Sequence, residues 1–170
     1  MEQPLKNRPS KTLRFADLGN RAKTPFSLAP SADERAVLAQ ELDLSGIKKL
    51  TFEGEISPDG AKDWRLTAKL GATVVQPCVV RLDPVTTRID ESIARRFLAE
   101  MPDLDGSEIE MPEDDSIDEL PSEIDLYDIL TEALSLAVPP FPRREDADTV
   151  EMSVAQPGVT PMSDADAKPF

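Results

Sequence analysis

Histidine is absent from this 170-residue chain, and cysteine, tryptophan and tyrosine occur once each. Without an imidazole there is no His-based catalytic triad, no His metal ligand and no His switch near neutral pH. The lone thiol, Cys78, excludes an intramolecular disulfide and a four-cysteine zinc site within one chain. Aromatic residues make up only 5%, so few rings are on hand for stacking on nucleic-acid bases. Long apolar runs are missing too. The best stretch, Ala133 to Phe141, is interrupted by Pro139 and Pro140 and falls well short of the roughly 20 residues that span a membrane as a helix. The first residues, MEQPLKNRPSKTLRF, are polar and proline-broken, unlike a secretory signal. These absences predict a cytoplasmic protein and exclude much conventional enzymology.

What remains is 39% hydrophobic and 31% charged, enough for one domain with a modest core. The formal charge is −14, and its distribution is uneven. Residues 1–96 carry 16 basic and 13 acidic side chains, whereas residues 97–142 carry 14 acidic side chains and no basic one. The densest part, MPDLDGSEIEMPEDDSIDE from Met101 to Glu119, combines self-repulsion with Pro102 and Pro112. It reads as a long acidic loop over about 101–121. The aspartates Asp103 and Asp105 with Gly106 do not match calcium-loop spacing, because the glycine is misplaced and the twelfth position is Asp114. No metal or cofactor is expected.

Hydrophobic spacing divides the rest. Residues 1–23 form a basic arm with Leu13, Phe15 and Leu18 as its anchors, and are expected to be weakly ordered. Thr24–Ala29 suits a short strand. Ser31 and Glu34 have capping-box spacing ahead of Val37, Leu38 and Leu42, which predicts a helix over 32–42. Leu50, Phe52 and Ile56 alternate up to Ser57-Pro58-Asp59-Gly60, and alternation resumes through Trp64, Leu66, Ala68 and Leu70. That pattern predicts a hairpin. Thr73–Leu82 reads as a further strand, with Pro77 arguing for an edge or a bulge. Val85–Leu98 fits a strand through Val85, Thr87, Ile89, Glu91, Ile93, Arg95 and Phe97, although Ile89, Ile93 and Phe97 also fit a helix face; we read it as a strand. Asp125 can cap a helix whose stripe is Leu126, Ile129, Leu130, Ala133, Leu134 and Ala137, ended by Val138-Pro139-Pro140. Residues 143–170 lack periodicity and read as a disordered tail. The expected fold is α+β: a single domain over 24–142, with a twisted antiparallel sheet packed by two or three helices.

Two blocks in this order, VVQPCVVRLDPV at Val74–Val85 and the helix ending TEALSLAVPPFPR at Arg143, resemble the YceD family of large ribosomal RNA subunit accumulation proteins. The segments PFSLAPSADERAVLAQELDLSGI and LTFEGEISPDGAKDWRLTAKLGATV resemble its alphaproteobacterial members, and the likeness runs from Leu18 to Arg143. The resemblance implies a bacterial factor supporting 23S ribosomal RNA accumulation and large-subunit assembly, with no enzymatic activity and no small-molecule substrate. Many members carry a Cys-x-x-Cys where this chain has Cys78 and Arg81, so a metal or redox role for that motif cannot operate within this one chain. The matched positions Gln76, Cys78, Leu82, Pro84, Val85, Asp125, Leu126, Glu132, Leu136 and Pro139 are read as fold determinants.

The expected partners are pre-ribosomal RNA or a basic large-subunit ribosomal protein, and the oligomeric state is left open. Arg81, Arg88, Arg95 and Arg96 are the candidate RNA contacts, as a basic stripe whose alternative is an ordinary solvated strand face. Asp103, Asp105, Glu108, Glu110, Glu113, Asp114 and Asp115 are the candidate contacts to a basic protein. A second function class is an acidic adaptor or holdase for basic clients unrelated to ribosomes. Cys78 is read as a small strand residue rather than a reactive thiol.

Overall fold

In a computed structural model of the chain, residues 9–19, 22–100 and 116–145 are described. Three long strands make the frame: β3 (Gly46–Asp59), β4 (Asp63–Pro77) and β5 (Pro84–Leu98), each antiparallel to the next. The short β2 (Thr24–Leu28) extends the β3 side, and β6 (Ser116–Glu119) lies parallel to the far end of β5. A separate two-stranded ribbon joins β1 (Thr12–Arg14) to β7 (Glu123–Asp125). The helices are α1 (Ala32–Glu41) and α2 (Leu126–Ala137). The fold is therefore α+β with a mainly antiparallel five-stranded sheet and two helices, as the sequence indicated.

Strand period explains the layering. Along β4, Trp64, Leu66, Ala68, Leu70, Ala72 and Val74 are buried, while the residues between them face the other way. Their partners Ile56, Phe52 and Leu50 on β3 and Ile89 and Phe97 on β5 share the buried face. Both helices pack on that face, α1 against β3 and α2 against β4 and β5. The capping box predicted for Ser31 and Glu34 is present, and Asp125 caps α2 by accepting from Tyr127 N–H at 2.9 Å.

Four expectations need correction. The runs ending at Leu70 and starting at Thr73 are one continuous strand, because Gly71 and Ala72 stay in the ladder opposite Thr51 and Leu50. That strand stops at Pro77, so Leu82 lies in the connection to β5 and Pro77 sits at a strand end in the sheet interior, paired with Pro84. A strand's last residue can do without the donor that proline lacks. The end of the expected acidic loop, residues 116–119, is β6; the rest of that expectation, 101–115, falls outside the described residues. The expected disordered tail likewise falls outside them from residue 146 onward.

The basic arm is the fourth. Residues 12–18 belong to the domain, and Leu13, Phe15 and Leu18 are the side chains that reach the core. Phe15 is buried with its ring centroid 5.5 Å from those of Trp64 and Phe97. Asp125 Oδ1 accepts from Lys11 N–H at 3.0 Å while it caps α2, so one carboxylate fixes both the helix start and the arm. Phe15→Ala is expected to cost about 3 kcal/mol or more by leaving a cavity between Trp64 and Phe97. Urea denaturation of full-length protein checks this; a loss under about 1 kcal/mol would mean that the arm is not part of the cooperative unit.

Candidate nucleic-acid-binding face

No described element covers the face of the sheet opposite the helices. On it lie Thr51, Glu53 and Glu55 of β3, Arg65, Thr67, Lys69, Gly71 and Thr73 of β4, and Arg88, Asp90, Ser92, Ala94 and Arg96 of β5. Two adjoining depressions of about 780 and 400 Å³ run along it over Thr67, Lys69, Gly71 and Ser92.

Its basic end is built by a register shift. Pairing between β3 and β4 passes from Ile47 opposite Val74 to Lys49 opposite Thr73, leaving Lys48 as an extra residue. Such a bulge interrupts alternation, so two consecutive lysines flank the same row of the open face. Lys48 Nζ reaches across β4 to donate to Thr86 Oγ1 on β5 at 3.2 Å. Lys49 and Lys69 make no ion pair among the described residues, and Glu53, opposite Lys69, accepts instead from Ser27 Oγ at 3.2 Å. Arg88 lies flat over Gly71, where a Cβ would come within 2.9 Å of both its guanidinium and Thr51 Oγ1. Gly71 therefore admits the arginine against the strand. Both Arg88 and Asp90 are fixed by their mutual hydrogen bonds, which raise the guanidinium's affinity for its proton and lower that of the carboxyl. Thr51, Thr73 and Thr86 add hydroxyls around the same spot. Cations and hydroxyls on an open, shallow face are suited to phosphate oxygens.

The four arginines expected to form one stripe are divided by the fold. Arg88 and Arg96 share the open face, Arg96 Nε donating to Asp59 Oδ2 at 3.0 Å. Arg95 points to the helix side, only 14% exposed, with Nη2 at 2.6 Å from Glu132 Oε2 and Nη1 at 3.7 Å from Asp118 Oδ2. It ties β5 to α2 and β6. Arg81 sits in the exposed turn between β4 and β5. The seven carboxylates from Asp103 to Asp115 fall outside the described residues. Reasoning from sequence passed over Lys48, Lys49 and Lys69; the adjacent lysines at the head of an alternating strand were the available sign of the bulge.

Cys78 lies just past the end of β4, fully buried. Backbone N–H groups of Arg144, Arg81 and Val80 aim at its sulfur and hold the thiol below its ordinary value, against burial and Asp83, which push it up. The cause is main-chain dipoles rather than arginine charge. The loop is tied to the end of the domain by Val79 N–H to Pro142 O at 3.1 Å, Arg144 to Asp83 at 3.6 Å, and Gln76 Nε2 to Pro139 O at 3.0 Å. Gln76, Asp125 and Leu126 thus behave as fold determinants. Leu82 (78% exposed, φ 61°) and Leu136 (80% exposed) do not, since neither packs into the core. Among the described residues no group of His, Cys, Asp and Glu is placed to hold a metal ion, and no helix is long and apolar enough to cross a membrane.

A family model described as "Large ribosomal RNA subunit accumulation protein YceD" matches residues 66–168. The match begins inside β4 and continues past Arg143, so the N-terminal likeness noted from Leu18 lies outside it. Neither the curated proteins nor the solved structures contain a match to the chain.

A thiol whose pKa is lower folded than unfolded adds stability at high pH and loses that contribution as pH falls through the folded value. The stability gap between the wild type and Cys78→Ala is therefore expected to widen as pH rises toward about 8.5, the ordinary thiol range, and to flatten below the folded value. Denaturation midpoints between pH 6 and 9.5 check this, and a gap independent of pH would refute the thiolate cradle.

Proposed function

This chain belongs to the YceD family, named for large ribosomal RNA subunit accumulation, and we propose that it acts in large-subunit assembly as a non-enzymatic binding factor that holds pre-ribosomal RNA through the basic end of its open sheet face. The observation that carries the reading is the bulge-built pair Lys48 and Lys49 beside Arg88, with Lys69 further along β4, the lysines free of ion pairs among the described residues. Phosphate contacts give affinity without sequence reading, and a face lacking aromatic rings suits backbone contact rather than base stacking. Arg81, in the turn between β4 and β5, lies toward this end of the sheet as a secondary contact, whereas Arg96 sits at the far end bonded to Asp59 and Arg95 is engaged by Glu132 and Asp118.

The acidic segment supports a companion role. Asp103, Asp105, Glu108, Glu110, Glu113, Asp114 and Asp115 form a block with no basic residue, and we assign them to a basic large-subunit ribosomal protein. A holdase for basic clients outside the ribosome is the second reading, supported by the same carboxylates. A cytoplasmic location follows from either.

Binding to a 23S ribosomal RNA fragment, measured by filter retention from low to moderate salt, separates them. The wild type is expected to bind with affinity that falls steeply with salt. The triple variant K48A/K49A/K69A should bind more weakly, with the log–log salt slope shallower by about 2, at roughly 0.7 per lost single-strand phosphate contact. All three side chains are exposed, so the fold is kept. Equal binding by wild type and variant would overturn the RNA face and leave the holdase reading.

A further inference from the structure

We propose that the turn between β4 and β5, together with the segment Pro139–Arg143 bound to it, seats an unpaired nucleotide of RNA, with the base stacked on the exposed ring of Phe141 and the phosphates held by Arg81 and Arg143. The inference deepens the RNA-binding half of the proposed function and rests on it: it assigns single-stranded RNA, rather than duplex, as the ligand of this end of the domain.

Phe141 is 75% exposed, and Leu82 in the turn is 78% exposed. The backbone brings them to the same corner. Val79 N–H donates to Pro142 O at 3.1 Å and Gln76 Nε2 donates to Pro139 O at 3.0 Å, so carbonyls on both sides of Phe141 are tied to the end of β4. Pro139, Pro140 and Pro142 fix φ around the ring's residue, which leaves little freedom to lose when a ligand arrives. Leu82 is a second, independent sign. The turn closes by Cys78 N–H to Asp83 O at 2.7 Å and Leu82 N–H to Cys78 O at 2.9 Å, and Leu82 takes the left-handed conformation, φ 61°. Glycine enters that region without steric cost, whereas leucine is strained there and this one hides no surface from water in return. Contact with a ligand accounts for an apolar side chain kept exposed at a strained position.

Charge selects the ligand. Arg81 and Arg143 are exposed and make no ion pair among the described residues, and the turn's carboxylate, Asp83, is engaged by Arg144 at 3.6 Å. The three arginines against Asp83 and Glu145 leave the corner positive. An apolar ring beside guanidinium groups matches a base beside phosphates, because every base offers a face for stacking and cations take the backbone oxygens. A duplex keeps its bases inside, so only unpaired nucleotides can use the ring. The corner also continues the lysine end of the open face. Thr86, which accepts from Lys48, is roughly 7 Å along β5 from Pro84, where the turn re-enters the sheet, at about 3.3 Å per residue. One short strand of RNA can touch the turn and Lys48 together.

The test uses the full-length protein and a fluorescein-labelled twelve-nucleotide RNA without internal pairing, alone and annealed to its complement, read by anisotropy. Phe141→Ala, at an exposed position that leaves the fold intact, should weaken single-strand binding about fivefold or more, keep the log–log salt slope, and leave duplex binding as in the wild type. F141W should restore single-strand binding, and its added emission should be quenched as RNA is titrated in. R81A/R143A should make the slope shallower by about 1.4, at roughly 0.7 per lost phosphate contact. L82G should weaken single-strand binding with a urea midpoint no lower than that of the wild type. Equal single-strand binding by the wild type, F141A and L82G would overturn the proposal, as would an equal loss for single strand and duplex, or F141W emission that RNA leaves unchanged. Quenching of F141W by a peptide of alternating glutamate and leucine that displaces the RNA would assign the ring to a protein instead. If K48A/K49A/K69A still binds more weakly in these cases, the lysine face stands without this site. No binding of either RNA by the wild type would remove both.

Discussion

One-sided burial along β4 is the constraint on which the rest of the molecule depends. Every second residue from Trp64 to Val74 is withdrawn from water, and those six side chains fix the register of both neighbouring strands. A slip by one residue would present Arg65, Thr67, Lys69 and Thr73 to the helices and expose the core set, so the register is strongly specified. At Gly54 the backbone crosses so close to Thr67 and Ala68 that an added Cβ would sit 2.1 Å from Thr67 O, which leaves no tolerance there. Because only one face has apolar surface to hide, α1, α2 and Phe15 all gather on it. The open face is the complement of that packing, and its lysines and threonines are solvated for the same reason that the other face is dry.

Local chemistry was legible to the extent that it repeats within one element. The capping box at Ser31, the Asp125 cap, the leucine stripe of α2 and the alternation from Val85 to Phe97 each carry their own signal, and each forms as expected. Features that depend on a distant partner left little trace. Pairing of Thr12–Arg14 with Glu123–Asp125 joins residues more than a hundred positions apart through three-residue strands, too short for a period to show. Gly71 resembled a break between two strands, and only the cross-strand neighbours Thr51 and Arg88 reveal that it permits a close approach within one. The arginine stripe failed for a simpler reason. Arg95 and Arg96 are consecutive in a strand, so they must face opposite ways.

The loop after β4 shows how a short connection is stabilised with a single cysteine. Three backbone N–H groups converge on the Cys78 sulfur, one of them from Arg144, which the chain reaches only after α2. Val79 to Pro142, Gln76 to Pro139 and Asp83 to Arg144 close the same junction. Main-chain and side-chain donors together join two segments about sixty residues apart. The cost is visible in Leu82, a non-glycine residue at φ 61° whose side chain gains no burial in return.

In a protein of charge −14 a cationic spot depends on which carboxylates stand near it: on this face Asp90 is bonded to Arg88, and Glu53 accepts from Ser27. Strand length sets Lys48, Lys49 and Arg88 apart from the carboxylates of β6. Arg88 marks the lysine end of β5, and Phe97, the partner of Asp118 on β6, marks the acidic end, nine residues further along. At about 3.3 Å per residue the two ends are roughly 30 Å apart, about three Debye lengths at 0.1 M salt. Over that span the carboxylates of β6 have little hold on Lys48 and Lys49, whereas Lys69, opposite Ser92, lies about half as far from them. A shorter sheet would merge the two fields into one weakly negative surface. The long, unbroken β4–β5 ladder therefore does more than enclose a core: it holds Lys48, Lys49 and Arg88 at one end of the open face and the carboxylates of β6 beyond the other.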